Sequence, residues 1–302
     1  MADDSWAAWL DDQRFSGGEQ RERLEATLRE YRETVLDHAD LGESDTVLDV
    51  GAGDGLVAFG ALDRLGPEGR VLFADTSRAV LREARATATE LEVTDSCEFV
   101  VLPAEDMGAI DDGSVDAVTL RSVLLFVTAK ERAFTEFERV LKPGGRLSVY
   151  EPIGDFTREM QFPEETFMQY DLAKTDHDVP DSVGALYGRV MDYVEEQRPD
   201  RDTAMDFDER DLFALAEEAG FEDIHLKLHA FHTRYRETEE WDAWLTTSWG
   251  PGTPTKAEAL DAALSPDERE TFAEHVLPLV ESRAPKAARG TPAYLWATKP
   301  DR

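Results

Sequence analysis

The spacing of apolar residues switches repeatedly between two periods over the first half of the chain, and each switch marks a new element. From Glu19 to about Asp40, Leu24, Leu28, Tyr31, Val35 and Leu36 recur at helical spacing. Val47 to Val50 read as a short buried strand, followed by a helix over Leu56 to Leu65 that Gly66-Pro67 stops. Arg70 to Ala74 predict a second strand, Ser77 to Leu91 a helix, and Cys97 to Leu102 a third strand. Val115 to Leu120 are almost all apolar, as in a strand covered on both faces. An amphipathic helix over Thr128 to Leu141 carries Ala133, Phe134, Phe137, Val140 and Leu141 on one stripe. Lys142-Pro143-Gly144-Gly145 stops it, and Arg146 to Tyr150 give a fifth strand. Strands alternating with helices in this way build a parallel sheet with helices on both faces.

Beyond Tyr150 the pattern loosens. Residues 153–206 mix aromatics with many acids and show no sustained period. Phe207 to Ala219 predict a helix capped by Gly220, and Phe221 to His232 alternate as a strand. Thr238 to Trp249 hold Trp241, Trp244 and Trp249, a cluster that reads as core more readily than as a substrate box. Ser265-Pro266-Asp267-Glu268 is a capping box with proline at the first helical position; its helix runs to about Leu277, where Pro278 ends or kinks it. Ala293 to Thr298 give the last strand.

Charge changes the picture more than length does. The 302 residues can hold one large domain, or one domain with a substantial appendage, and 41% hydrophobic residues suffice for a core. The formal net charge is -33, spread over every predicted surface rather than gathered in a tail. Such dense carboxylates resemble the proteins of salt-loving organisms, and they disfavour a nucleic-acid substrate, which needs a basic footprint. Cys97 is the sole cysteine, which excludes a disulfide framework and a cysteine metal site. The N-terminus has no basic n-region, and no segment reaches the roughly 18 apolar residues of a membrane span. A soluble, cytoplasmic protein without membrane partners is expected.

The chemistry concentrates in residues 47–55, Val-Leu-Asp-Val-Gly-Ala-Gly-Asp-Gly. A glycine turn at the carboxyl end of a strand is the ligand crevice of an open α/β sheet. The spacing is G-x-G-x-G, and Leu56 stands where the third glycine of a dinucleotide fingerprint would fall. Asp54 inside the turn would repel a pyrophosphate, but it tolerates a ligand that carries a sulfonium and an ammonium. S-adenosylmethionine (SAM) therefore suits the charges better than a nicotinamide dinucleotide. The run Asp49-Val50-Gly51-Ala52-Gly53-Asp54-Gly55 resembles the first motif of the class I SAM-dependent methyltransferases at every fixed position. Leu141-Lys142-Pro143-Gly144-Gly145-Arg146-Leu147 is similar to that family's turn before the fifth strand.

The resemblance implies an α/β fold: a doubly wound, seven-stranded, mostly parallel sheet with an antiparallel last strand, a helical lid and a C-terminal helical insertion. It divides the chain into an N-terminal helical segment (1–44), a SAM-binding core (45–152), a lid (153–206) and the rest of the sheet with its insertion (207–302). It also implies roles for particular residues. Asp49, Gly51, Ala52 and Gly53 hold the methionine part of the donor. Asp75, about 20 residues past the turn, accepts from the ribose hydroxyls, with Thr76 beside it. Pro103 stands where the family usually has an acid, so the adenine contact falls to Ala104 and to Glu105 or Asp106. Arg121 or Ser122, after the fourth strand, faces the donor; Arg121 alternatively meets a carboxylate or orders the loop.

Tyr31 and Arg14 either touch donor or substrate, or serve as a core aromatic and a surface cation. Glu151, Tyr170 and His177 are candidate groups toward the substrate. Asp176-His177-Asp178 reads as a solvated loop rather than a metal site, and His225 and His229 as the weaker face of a strand rather than a ligand row. The expected activity is methyl transfer from SAM to an O, N or C atom of a small molecule, in the branch that includes quinone-biosynthesis methyltransferases. The alternatives are a non-catalytic SAM-binding subunit, an RNA or protein methyltransferase, and a dehydrogenase on the same fold. A monomer or homodimer is expected, with no metal.

Overall fold

The computed structural model describes residues 6–7, 9–14, 17–153, 180–197, 207–236, 238–282 and 286–301. Tyr170 and His177 lie outside them. The chain divides into two compact units, one of residues 1–27, 157–200 and 230–290, the other of residues 28–156, 201–229 and 291–302.

The second unit holds the sheet. Helix α1 (Gly18–Ala39) leads into β1 (Thr46–Val50), and α2 (Leu56–Leu62) follows the glycine turn. Then come β2 (Arg70–Asp75), α3 (Arg78–Glu90), β3 (Cys97–Val101), β4 (Val115–Arg121), α4 (Lys130–Val140) and β5 (Leu141–Glu151). Helix α6 (Glu209–Glu218, after α5 at Asp181–Glu196), β6 (Glu222–Leu228) and β9 (Ala293–Thr298) complete it. The strand order is β3-β2-β1-β4-β5-β9-β6. Neighbours from β3 to β5 are parallel, and β9 runs antiparallel to both β5 and β6. The order reverses between β1 and β4, which opens the crevice at their carboxyl ends.

Strand parity decides which side chains line which layer. Val47 belongs to the cluster formed with Val35, Leu36, Ala58 and Phe73; Leu48 belongs to the opposite one, with Phe134, Phe137, Leu147 and Leu295. Asp49 is two residues from Val47 and so falls on the Val47 face, toward α2. Both clusters are buried, as the largely apolar runs of β1 and β4 require.

The first unit packs α5, α7 (Trp241–Thr246), α8 (Lys256–Ala263) and α9 (Pro266–Glu281) around Val183, Tyr187, Val190, Trp244, Phe272 and Val276. It also contains a two-stranded antiparallel ribbon of β7 (Phe231–Tyr235) and β8 (Lys286–Gly290).

Two expectations are corrected. Phe221 to His232 form two strands, because β6 pairs with β9 while β7 pairs with β8. Pro292 interrupts the partner strand, and its carbonyl accepts from His229 N at 2.9 Å between the two ladders. Helix α9 continues past Pro278 to Glu281. A proline this near the last turn gives up one hydrogen bond close to a helix end.

Phe137 is fully buried between α4 and the sheet. Phe137→Ala is expected to lower the unfolding free energy by about 3–5 kcal/mol, read by chemical denaturation. A loss below about 1 kcal/mol would remove this cluster as the main core.

Candidate functional site

The turn between β1 and α2 is a left-handed path. Gly51, Gly53 and Gly55 take φ of 64°, 55° and 85°. At Gly51 a side chain is also sterically excluded, because a Cβ would lie 2.5 Å from Val123 Cγ2. At Gly55 it would lie 2.4 Å from the Phe59 ring. Ala52 N donates to Ala74 O of β2 at 2.9 Å, and Gly55 N donates to Ala52 O at 2.8 Å, which closes the turn.

Asp49 fixes this turn from beneath. Its side chain is 2% exposed. Thr119 Oγ1 of β4 donates to one carboxylate oxygen at 2.9 Å, and Ala58 N in the first turn of α2 donates to the other at 3.1 Å. Burial pushes the carboxyl up to about 7, although Thr119, the charge of Arg121 and the Ala58 amide pull the other way. Both oxygens are therefore engaged inside the protein.

Asp75 ends β2 and is half-buried. Gly53 N donates to its Oδ2 at 3.0 Å, and Ser77 N donates to its Oδ1 at 2.9 Å. Ser77 is the residue that caps α3, accepting from Val80 N, so Asp75 is not spent on the cap. Thr76 beside it is exposed. The segment after β3 returns to the same place, because Leu102 N donates to Asp75 O at 3.2 Å. There Asp106 N donates to Pro103 O, closing a turn with Ala104 buried, Glu105 half-buried and Asp106 exposed. Glu136 of α4 holds the far side of this turn by accepting from Met107 N at 2.7 Å.

The loop after β4 is the third wall. Ser122 has φ of 59°, unusual for a residue with a side chain, and its amide donates to Tyr150 O at 2.9 Å. Val123 N and Leu124 N then donate to Glu151 Oε1 at 2.7 and 2.8 Å. Glu151 is fully buried, and its Oε2 has no hydrogen-bond partner among the described residues. Burial pushes this carboxyl up to about 7, against the amides of Leu124, Val123 and Leu125 and the charge of Arg121. Arg121 thus acts on both buried acids, and its Nη1 also reaches Ser122 Oγ at 3.4 Å.

The structure thus gathers Asp49, Gly51, Ala52, Gly53, Asp75, Thr76, Ala104, Glu105, Arg121 and Glu151 at one edge of the sheet. It places others elsewhere. Tyr31 stacks on Tyr150 at 4.6 Å within the core, and burial pushes both phenols up. Arg14 lies over the Trp9 ring. His225 stacks on Trp296, as does His38 on the ring at 3.8 Å. Trp244 and Trp249 lie 5.1 and 4.9 Å from the buried Lys256 ammonium, which donates to Thr247. Two features went unread in the sequence: the Val123 contact on Gly51, and Glu151 as an anchor for backbone amides.

Residues 48–149 match the methyltransferase domain family. A ubiquinone/menaquinone biosynthesis C-methyltransferase UbiE of Escherichia fergusonii is 31% identical over 202 residues, covering 65% of this chain and 74% of that protein. Its counterpart in Salmonella newport is 30% identical over the same length, with the same coverage. Among solved structures, the YcgJ protein of Bacillus subtilis aligns with a TM-score of 0.53 at 17% identity, over 92% of this chain and 100% of that one. The geranyl diphosphate C-methyltransferase of Streptomyces coelicolor, solved with S-adenosyl-L-homocysteine, aligns with a TM-score of 0.51 at 18% identity. It covers 92% of this chain and 80% of that one.

The raised carboxyl of Asp49 favours folding while it is protonated, and that contribution is lost as pH rises from its unfolded value of 3.8 through about 7. Asp49→Asn does not titrate. Its stability relative to wild type is therefore expected to increase from pH 4 to pH 8, read by denaturation at each pH. A constant difference would show that Asp49 is ionised throughout.

Proposed function

The chain belongs to the class I SAM-dependent methyltransferases, and within that family we propose that it methylates a small molecule, with a carbon atom favoured over oxygen or nitrogen. The cofactor is SAM. The observation that carries the reading is the ring of carboxyls at the sheet edge. Asp49 lies one residue before the end of β1, Asp75 and Glu151 end β2 and β5, and the exposed Asp54 sits in the glycine turn. The carboxylates open to a ligand are Asp54 and Asp75, which would repel a pyrophosphate and attract a sulfonium and an ammonium. The preference for carbon rests on the C-methyltransferases that are 30–31% identical to this chain over 202 aligned residues.

The residues present fit the donor. Asp75 is half-buried and presents a carboxylate, which suits the paired hydroxyls of a ribose. The backbone of Gly51, Ala52 and Gly53 would hold the methionine part, with Asp49 acting through the turn it fixes. Ala104 and Glu105 would meet the adenine, and Thr76 the rim beside Asp75. Arg121 faces Asp49 and Glu151, which support its role in ordering the loop. When bound, the donor supplies a methyl group made electrophilic by positive sulfur.

The protein's share of catalysis is then alignment and exclusion of water. A base is needed only where the acceptor must lose a proton to react. Tyr170 and His177 are proposed for the substrate side. The acidic surface supports a small-molecule substrate over a nucleic acid, and a salt-rich cytoplasm as the setting. No helix among the described residues is long and apolar enough to cross a membrane.

A metabolite pool incubated with methyl-labelled SAM tests the activity. Label in an extractable small molecule supports it; donor binding without transfer would favour a non-catalytic subunit, and label in RNA or protein would redirect it. Asp75→Ala is expected to weaken SAM binding by about 1.5–3 kcal/mol through lost charge-assisted hydrogen bonds, measured by calorimetry. Unchanged affinity would remove Asp75 from the donor site.

A further inference from the structure

Glu151 is an expensive residue to keep. Its carboxyl is fully buried at the end of β5, and one of its oxygens has no hydrogen-bond partner among the described residues. An acid that only filled space would be replaced at lower cost by an apolar residue. Its other oxygen gathers the amides of Val123 and Leu124, which open the short 3-10 turn Leu124–Phe126. Those amides have no acceptor of their own within a turn that short.

The anchored loop leads straight to the donor crevice. Ser122, directly before it, is held in the left-handed region by its bond to Tyr150 O. Such strain persists only where surrounding contacts determine it. Val123, directly after it, is seated on Gly51 so closely that no side chain fits between them. Gly51 is exposed at the mouth of the turn. The position of Val123 therefore sets the position of the turn's first glycine, and Glu151 sets the position of Val123.

We propose that Glu151 is a positioning residue for methyl transfer: by holding the loop 122–125 it presses Val123 onto Gly51 and shapes the glycine turn to receive the donor. The inference rests on the glycine turn being the SAM site. Glu151 acts through the loop and touches neither donor nor acceptor. Its effect falls on donor affinity, and saturating donor restores turnover.

A double-mutant cycle on the full chain tests this, with SAM binding followed by calorimetry and turnover by label transfer. Glu151→Ala is expected to raise the Kd for SAM about tenfold or more, the consequence of leaving buried amides without an acceptor. Its kcat at saturating SAM stays within about threefold of wild type, since ground-state binding is what is lost. Glu151→Gln keeps a carbonyl acceptor and restores affinity to within about threefold. Val123→Ala raises Kd by about threefold or more, and Glu151→Ala with Val123→Ala together fall short of the product of the two.

Independent, multiplicative effects overturn the proposal, as does an unchanged Kd in Val123→Ala. If Glu151→Ala does not fold, Val123→Ala alone carries the test: a Kd raised about threefold or more supports the proposal, and an unchanged Kd overturns it. Wild-type protein that fails to bind SAM would instead sink the assignment of the crevice.

Discussion

The amide of Ala58 lies in the first turn of α2, where no helical carbonyl is available to accept from it. Asp49 provides the acceptor from the end of β1, and Thr119 of β4 donates to the same carboxyl. One side chain thereby joins the central strand, its neighbour and the following helix across a turn of a few residues. That turn passes through the left-handed region three times, a path the backbone does not keep without support. The shape offered to a ligand at Gly51 to Gly55 is thus determined from the protein side, by a group the ligand need not touch.

Glu151 repeats the device one strand further along. Like Asp49 it lies within a residue of a strand's end, is enclosed, and spends its oxygen on backbone amides of the next wall of the crevice. Asp75 differs. It is half-buried, and the cap that an acid there might have supplied is made by Ser77. The acids around the crevice therefore sort by burial. All three accept from backbone amides, and only Asp75, the partly open one, also has a carboxylate within reach of a ligand. A crevice walled so largely by backbone depends on such supports for its shape.

How much of this the chain discloses depends on the range of the interaction. The parallel core was readable because Val47–Val50 and Val115–Leu120 are apolar on both faces and the helices between them carry single stripes. The capping box at Ser265 and the helix stop at Gly220 were local, and both are found. The break between β6 and β7 was not readable from Phe221–His232, because it is caused by Pro292, which lies some sixty residues on in the partner strand. Tyr31 showed a helical stripe, but nothing in the stripe named Tyr150 as its partner. The first motif announced an acid at Asp49 without saying which way it points; only its parity with Val47 places it under α2.

Arg121 shows how the two buried acids and the crevice depend on one another. From sequence it is awkward, since a guanidinium near a sulfonium site is unfavourable. In the structure its charge favours ionisation of both Asp49 and Glu151, opposing the burial that raises them. One cation thus works against the burial of both carboxyls that hold the turn and the loop. The guanidinium's charge is then offset within the protein, so the rim left to a ligand is that of Asp54 and Asp75. The positive residue at the mouth of the crevice is what allows the crevice to remain negative.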